Sequence, residues 1–280
     1  MPMNTAAGAG QLAVCSWSLQ PSDPRDLAAK LQEIGIHQVQ LALAPLVEAP
    51  AVWGETIKVL HQANIKMVSG MFGCVGEDYS TIDSIRLTGG IAPDATWEEN
   101  LKRIRAFATA AEFLGQKLVT FHAGFVPHDR SSPGFVKMLE RLRVVAEIFA
   151  AEKIMVGLET GQETAAELAT LLVLLERPNV GVNFDPANML LYGQGDPIQA
   201  LRLLAPWICQ VHIKDAMRPR VPGKWGSEVS AGSGEVNWPA FFTVLNEVNF
   251  TGALVIEREA GTRRIEDIRA ARELVLKLNG

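Results

Sequence analysis

Eight short apolar runs, rich in valine, isoleucine and leucine, alternate with longer amphipathic stretches along the 280-residue chain. Runs that are apolar throughout, rather than at every second position, are typical of strands buried on both faces of a parallel sheet. The amphipathic stretches predict helices over 24–34, 51–63, 96–115, 133–152, 162–176, 197–205, 238–247 and 263–278. Eight strand–helix repeats in a chain of this length predict an α/β fold, a single (β/α)8 TIM barrel over residues 1–280.

A doubly wound open sheet is the competing architecture, but it normally has a glycine-rich turn after its first strand. Here the first strand ends in SWSLQPSDP, which contains no such turn. Two long irregular segments, 73–95 and 216–236, follow the third and seventh predicted strands. Long loops in a compact domain are often functional, so we expect both to be substrate lids on the catalytic face, although ordinary surface insertions would look the same.

The composition excludes several classes of protein. A net charge of −5 provides no basic field to hold nucleic acid or an anionic membrane. The three cysteines are widely spaced, which argues against a disulfide framework and fits a reducing compartment. The amino terminus lacks the features of a signal peptide, and no apolar run reaches the roughly 18 residues of a membrane helix. We therefore expect a soluble, cytoplasmic protein.

A metal-capable side chain ends each of the last four predicted strands. These residues are Glu159 in GLET, Asp185 in NFDPAN, His212 in VHIKD and Glu257 in VIERE. The carboxyl ends of neighbouring barrel strands line one side of the barrel mouth, where gathered carboxylates repel one another unless a cation lies between them. Three oxygens and one nitrogen suit a hard ion. The sequence predicts one divalent cation, with Mn²⁺ favoured and Mg²⁺, Co²⁺ and Zn²⁺ as the other candidates.

These four runs, in this order, resemble the xylose isomerase-like TIM barrel superfamily of sugar isomerases and epimerases. The fragments EDYSTIDSIRLTGG (77–90) and GSGEVNWPAFF (232–242) are similar to loops of the same superfamily. The resemblance implies a metal site of Glu159, Asp185, His212 and Glu257, in which the two glutamates are also the acid/base pair. It further implies a homo-oligomer, a dimer or a tetramer.

The implied activity is that of a metal-dependent sugar isomerase or epimerase. One glutamate removes a proton next to a carbonyl, giving a cis-enediolate that the metal binds, and a second glutamate returns a proton. A dehydratase of polyols or keto acids, similar to inosose dehydratase, is the main alternative because it begins with the same step. An endonuclease-like phosphodiesterase would need more histidines than the five present. A non-catalytic sugar-binding protein is the remaining alternative.

Five further residues are candidates for substrate contact. His122 ends the fourth strand, where an imidazole either binds a hydroxyl or is satisfied within the core. Lys214 shares the strand parity of His212, so it either faces substrate or pairs with a carboxylate. Asp215 either orients a metal ligand or forms an ordinary ion pair. Trp17 and Trp225 are expected to provide apolar walls against a sugar, although core packing would also explain Trp17.

Two positions depart from the pattern of relatives, and two arginines are ambiguous. Asn188 stands where ketose 3-epimerases typically carry a histidine that contacts the sugar; an amide can bind a hydroxyl but cannot titrate. Gln40 lies in the second strand, where many relatives have an acidic residue, and a structural role is favoured for it. Arg218 and Arg220 either bind an acidic group of the substrate or are simply solvated.

Overall fold

Eight parallel strands form a closed barrel in a computed structural model that describes residues 12–221 and 223–279. The barrel strands are β1 (Leu12–Cys15), β2 (Gln38–Ala42), β3 (Lys66–Met71), β4 (Leu118–Phe121), β5 (Met155–Glu159), β6 (Val180–Phe184), β7 (Ile208–Ile213) and β10 (Ala253–Ile256). A two-stranded antiparallel hairpin, β8 (Asp215–Met217) and β9 (Ser227–Val229), follows β7. The order around the barrel is β1-β10-β7-β6-β5-β4-β3-β2, which confirms the predicted TIM barrel.

Helices flank this barrel. Their bounds are α1 (Pro24–Ile34), α2 (Ala44–Glu48), α3 (Pro50–Trp53), α4 (Thr56–Gln62), α5 (Ile82–Thr88), α6 (Asp94–Phe113), α7 (Pro133–Ala151), α8 (Ala165–Leu175), α9 (Pro186–Tyr192), α10 (Pro197–Leu204), α11 (Trp238–Glu247) and α12 (Arg264–Asn279). Single 3-10 turns cover Ser16–Leu19 and Ala205–Trp207. Among the helices of the described ranges, none has both the length and the apolar character needed to cross a membrane.

Several helical regions differ from the sequence prediction. The helix expected over 51–63 is divided into α3 and α4, because Pro50 starts one helix and Gly54 weakens its continuation. The helix expected from residue 162 begins only at Ala165, since Thr164 caps it. The short helices α2 and α9 were not predicted.

The segment 73–95 is not wholly irregular, because it contains α5. Thr81 and Ser84 form a reciprocal capping box at the start of this helix, each side chain accepting a hydrogen bond from the backbone amide of the other. Serine replaces the glutamate or glutamine usual at the third position of such a box, so the helix start carries a weak sequence signal. Segment 216–236 likewise contains part of the β8–β9 hairpin.

A layer of buried polar side chains crosses the barrel interior beneath the carboxyl ends of the strands. Ser69 of β3 donates to Gln210 of β7 over 2.5 Å, and Gln40 of β2 donates to Thr120 of β4 over 2.8 Å. Neither pair of strands is adjacent, so these bonds pass through the interior. Gln210 also donates to Asn183 of β6 over 3.1 Å. The large apolar core lies instead between the strands and the surrounding helices.

The role predicted for Asp215 in substrate contact or in orienting a metal ligand is wrong. Its carboxylate neither lines the cavity nor contacts a predicted metal ligand. It is fully buried and accepts hydrogen bonds from backbone amides of the segment that follows β8 and from the indole of Trp238. A Cβ at Gly234 would lie 2.1 Å from this carboxylate, so only glycine allows the approach. Asp215 therefore anchors the 216–236 segment to the barrel.

Replacing Asp215 by asparagine should lower the free energy of unfolding by about 2–4 kcal/mol, because the new amide nitrogen would oppose buried donors. Urea unfolding measures the loss, and limited proteolysis should show faster cleavage within 216–236. Asp83→Asn is the control, since that exposed carboxylate makes only a 3.4 Å contact with Arg86; its effect should stay within about 0.5 kcal/mol. Equal losses in the two variants would contradict the anchoring role.

Candidate metal centre

The four predicted ligands converge at the carboxyl ends of adjacent barrel strands. Glu159 ends β5, Asp185 directly follows β6, His212 lies near the end of β7, and Glu257 directly follows β10. One ligand atom from each lies within 4.8 Å of the corresponding atoms of the other three, and all four residues are buried. Pairing of β7 beside both β6 and β10 sets this arrangement, as the strand order of a barrel predicts.

One oxygen of each carboxylate lies close to Nδ1 of His212. That nitrogen lies 3.4 Å from Oε1 of Glu159, 3.6 Å from Oδ2 of Asp185 and 3.3 Å from Oε2 of Glu257. Two ligands that are each about 2.1 Å from an ion, at angles of about 90–110°, lie ~3.0–3.4 Å apart. Nδ1 of His212 and Oδ2 of Asp185 are also buried without a hydrogen-bond partner. The donor set therefore fits a divalent cation.

Gln40 determines which nitrogen of His212 faces the other ligands. Its amide nitrogen donates to Thr120, so its Oε1 is turned toward Nε2 of His212 at 2.8 Å. A carbonyl oxygen only accepts, so this shorter contact favours the imidazole proton on Nε2 and a lone pair on Nδ1 that is directed at the cluster. The amide nitrogen of Asn183 also lies 3.1 Å from Nε2. The structural role predicted for Gln40 thus includes support of a metal ligand.

Asp185 divides its two oxygens between the fold and the cluster. Oδ1 caps α9 by accepting hydrogen bonds from the amides of Ala187 (2.8 Å) and Asn188 (2.9 Å). Pro186 occupies the first position of that helix, where its missing N–H costs nothing. The DPAN sequence therefore fixes the carboxylate and leaves Oδ2 for the cluster.

Glu159 is held by two amides, one on each oxygen. Asn188 donates to Oε1 over 3.0 Å, and Asn183 donates to Oε2 over 3.2 Å. Asn188 approaches so closely that a Cβ at Gly161 would lie 2.5 Å from the Cβ of Asn188, and Gly161 has φ of +138°. Asn188, predicted only to bind substrate, thus also positions a predicted metal ligand.

Glu257 is fixed by two charge-assisted contacts. Trp17 donates its indole N–H to Oε1 over 2.8 Å, and Nζ of Lys214 lies 2.9 Å from Oε2. Trp17 does not line the cavity, so the prediction that it forms an apolar wall against substrate is replaced by a role in orienting Glu257. Lys214 also contacts Glu259 at 2.6 Å, so it pairs with carboxylates, one of the two roles expected of it.

The two glutamates of the cluster are held as anions. Burial alone would raise the pKa of Glu257, but Lys214 and His212 outweigh burial and hold that pKa well below its ordinary value. Burial acts on the pKa of Glu159 in the same way, while His122 and His212 lower it below its ordinary value. Both carboxylates are therefore ionised at neutral pH, as a metal ligand or a general base requires.

The histidine carries the opposite shift. Burial alone would lower the pKa of His212, but the surrounding anions, including Glu159 and Glu257, raise it well above its ordinary value. Burial raises the pKa of Asp185, and Lys214 opposes that shift. The centre of the cluster thus attracts positive charge, for which a proton on Nδ1 and a divalent cation would compete.

A cavity of about 650 Å³ opens above the cluster. Four predicted site residues line it besides Glu257: His122, Asn188, Lys214 and Trp225. The Trp225 ring packs edge-on against Tyr192, with ring centroids 4.7 Å apart. His122 reaches toward the cluster, with Nε2 3.6 Å from Oε1 of Glu159.

Sequence reasoning missed several lining residues, namely Glu77, Tyr79, Tyr192, Glu228 and Glu259. Glu259 carried a usable signal, because it follows Glu257 by two positions, the spacing of side chains on one face of a strand. Glu77 lies in the segment expected to be a lid. Tyr192 ends a helix that was not predicted, and Glu228 lies in the second segment expected to be a lid, 216–236.

Comparisons with known proteins agree with this architecture. A family model described as the xylose isomerase-like TIM barrel matches residues 15–278. The solved structure of a xylose isomerase domain protein from Planctomyces limnophilus is 33% identical, with a TM-score of 0.83, over 89% of this chain and 91% of that one. D-psicose 3-epimerase from Clostridium cellulolyticum H10, solved with D-tagatose, has a TM-score of 0.71 over 96% of this chain and 99% of that one. Its 15% identity shows a shared fold alone.

One curated relative is the 3-dehydroshikimate dehydratase of Bacillus anthracis, which is 26% identical over 182 residues. That match covers 63% of this chain and 65% of the relative, slightly less than two thirds of its length. The family model, by contrast, spans nearly the whole described chain and includes all four converging side chains. The chain belongs to the xylose isomerase-like TIM barrel family.

Proposed function

We propose that the protein is a divalent-metal-dependent isomerase or epimerase of a small carbohydrate, which acts by removing a proton next to a carbonyl group. One observation carries the proposal. Nδ1 of His212 and Oδ2 of Asp185 are buried without partners and face oxygens of Glu159 and Glu257. Buried polar atoms in proteins are rarely unpaired, so a bound cation accounts for the arrangement. The hard donor set favours Mn²⁺.

The bound cation would act as a Lewis acid that polarises the substrate carbonyl and stabilises the negative charge left by proton removal. The proton transfers themselves belong to the chain. Glu257 lines the cavity, is ionised, and is fixed in place by Trp17 and Lys214. A general base needs both a proton-accepting state and a fixed position.

Glu159 would provide the second proton-transfer group. It reaches the cluster from β5, and β6 and β7 separate that strand from β10, which carries Glu257. The two glutamates therefore reach the cluster from different sides of the barrel mouth, and of the two only Glu257 lines the cavity directly. Return of a proton to the same carbon from the opposite face is epimerisation, and return to the adjacent carbon is isomerisation.

A dehydratase of a cyclic polyol or keto acid is the second candidate. The match to the 3-dehydroshikimate dehydratase favours it, and the reaction would begin with the same proton abstraction. The enolate would then expel a neighbouring hydroxyl group as water, which requires a proton donor. His122 and Tyr79 line the cavity and are available for that step.

The first test is solvent exchange. The Mn²⁺-loaded protein, incubated with a panel of ketoses in D₂O, should incorporate deuterium next to the carbonyl without loss of water, as read by NMR and mass spectrometry. Glu257→Gln and Glu159→Gln should each slow exchange by about 10²–10⁴-fold, because each removes a proton-transfer group.

Metal content must be measured in both variants, so that loss of the ion is distinguished from loss of the base. Exchange at the parent rate in a variant that retains its metal would contradict the role of that glutamate. Growth of an enone or dione absorbance in place of exchange would reject the isomerase and support the dehydratase.

A second test concerns Gln40. Gln40→Leu should lower the affinity for Co²⁺ by about 10–100-fold, because His212 would lose the acceptor that fixes its tautomer and orientation. Calorimetry and the visible absorption of bound Co²⁺ provide the measurement. Gln210→Leu is the matched control, since that buried amide contacts Ser69 and Asn183 but no proposed ligand. A similar fall in the two variants would show a general effect of the polar layer instead.

A third test is pH dependence. Because the pKa of His212 is raised, a cation must displace a proton from its imidazole, and affinity should increase with pH. We expect about tenfold per pH unit over the range of about pH 6 to pH 8, with Co²⁺ titrations at each pH. His212→Gln should bind more weakly and lose most of this slope. A parent affinity that is constant with pH would contradict the proposed competition.

A further inference from the structure

The cavity above the cluster is lined by an unusual excess of acidic side chains. Four glutamates, Glu77, Glu228, Glu257 and Glu259, contribute to its wall. Among the described residues that line it, Lys214 is the only lysine or arginine. Lys214 is 3% exposed and already contacts Glu257 at 2.9 Å and Glu259 at 2.6 Å. Its charge is therefore not available to a ligand.

The arginines that could have supplied an anion site are committed elsewhere. Arg258 contacts Glu228 at 2.6 Å and Asp267 at 2.9 Å. Arg218 lies 3.4 Å from Glu235, and neither it nor the exposed Arg220 lines the cavity. Of the two roles left open for these last two residues by the sequence, binding of an acidic substrate group has no support in the geometry.

A bound divalent cation would not reverse this balance. The cluster contributes three carboxylates, from Glu159, Asp185 and Glu257, and these offset the two charges of the ion together with that of Lys214. Glu77 and Glu259 remain as additional acidic groups in the wall. Burial raises the pKa of Glu77, and although Lys214 lowers the pKa of Glu259, Glu257 together with burial raises it above its ordinary value, so a further anion would add to negative charge that is already crowded. A carboxylate or phosphate on the substrate would meet like charge in a partly desolvated space, which is a strong determinant of specificity.

The same lining suits a ligand with many hydroxyl groups. Carboxylate oxygens of Glu77 and Glu259 accept hydrogen bonds, as hydroxyls require. The rings of Tyr192 and Trp225 offer apolar faces for C–H groups. The volume of about 650 Å³ accommodates a monosaccharide or a cyclic polyol of similar size.

We propose that this site selects uncharged polyhydroxylated carbonyl compounds and rejects those that carry a carboxylate or a phosphate. The proposal rests on the proposed function only in taking the ligand to be a carbonyl compound that binds at the metal centre. The proposal distinguishes between the compounds named for two of the similar proteins above. The compound in the name of the dehydratase, 3-dehydroshikimate, is an acid, whereas the D-tagatose in the epimerase structure is a neutral sugar.

Binding, rather than turnover, provides the test. Ligand-detected NMR on the Mg²⁺-loaded protein should compare pairs that differ by one acidic group: methyl quinate with quinate, and D-fructose with D-fructose 6-phosphate. The neutral member should bind at least ~100-fold more tightly in each pair. Equal or tighter binding of the acidic members would overturn the proposal, and so would the absence of binding by all four compounds.

Charge variants show whether the lining glutamates cause the selection. Glu259→Gln and Glu77→Gln should each reduce the preference for the neutral member by about tenfold, because each removes one negative charge from the wall. Glu140→Gln makes the same change on the exposed face of α7 and should leave the preference unaltered. A preference that does not change in the cavity variants would overturn the charge argument.

The two proposals fail in different ways. If neutral polyols bind preferentially but show no solvent exchange and no turnover, the proposed isomerase activity is wrong and the charge selection stands. If exchange occurs with a phosphorylated or carboxylated substrate, the proposed chemistry stands and the charge selection is wrong.

Discussion

Three carboxylates buried within a few ångströms of one another create the electrostatic problem that the rest of the site is built to solve. Glu159, Asp185 and Glu257 are all buried at the carboxyl ends of the strands, where little water can screen their repulsion. Lys214 and His212 supply part of the compensating charge, as the lowered pKa of Glu257 and the raised pKa of His212 show. The proposed divalent cation would supply the remainder in a way that mobile protons cannot, because it would also fix the positions of the ligands.

The polar layer inside the barrel makes that geometry possible. An apolar interior would leave the imidazole of His212 free to rotate and either nitrogen free to carry the proton. Gln40 removes that freedom through one bond of 2.8 Å across the barrel, and Thr120 fixes Gln40 in turn. Asn183 connects the same layer to Glu159. Strands that are not neighbours thus cooperate to hold a single ligand orientation.

The sequence was most informative about side chains whose position depends only on the end of the strand that carries them. Barrel strand order follows from chain order, so the convergence of Glu159, Asp185, His212 and Glu257 could be predicted without coordinates. Contacts between distant segments could not. The partner of the Trp17 indole N–H is Glu257, which lies 240 positions further along the chain. Because no sequence pattern connects the two residues, Trp17 was interpreted as an apolar wall. Asp215 was expected in the site because it is close in sequence to His212 and Lys214. Its side chain instead points into the loop that follows β8.

The acidic character of the cavity follows from how its loops are attached. Partly buried carboxylates of segments 73–95 and 216–236 bind backbone amides and so attach these segments. Glu77 accepts hydrogen bonds from the amides of Gly90 at 2.9 Å and Cys74 at 3.3 Å. Glu228 accepts them from the amides of Glu259 at 3.0 Å and Ala260 at 3.2 Å, which joins the β8–β9 hairpin to the chain after β10.

A carboxylate accepts several amide hydrogen bonds at once and is therefore an efficient way to close a polar loop. The consequence is that negative charge collects around the space the loops enclose. Partial burial disfavours the ionised form of Glu77. It raises the pKa of that carboxyl despite the lowering effect of His122 and two backbone amides. Placing an anionic substrate there would add to a repulsion that already shapes the loops. A neutral polyol, in contrast, can donate hydroxyl hydrogen bonds to carboxylate lone pairs that the backbone leaves unused. The proposed substrate selection would therefore depend on the same side chains that attach the loops.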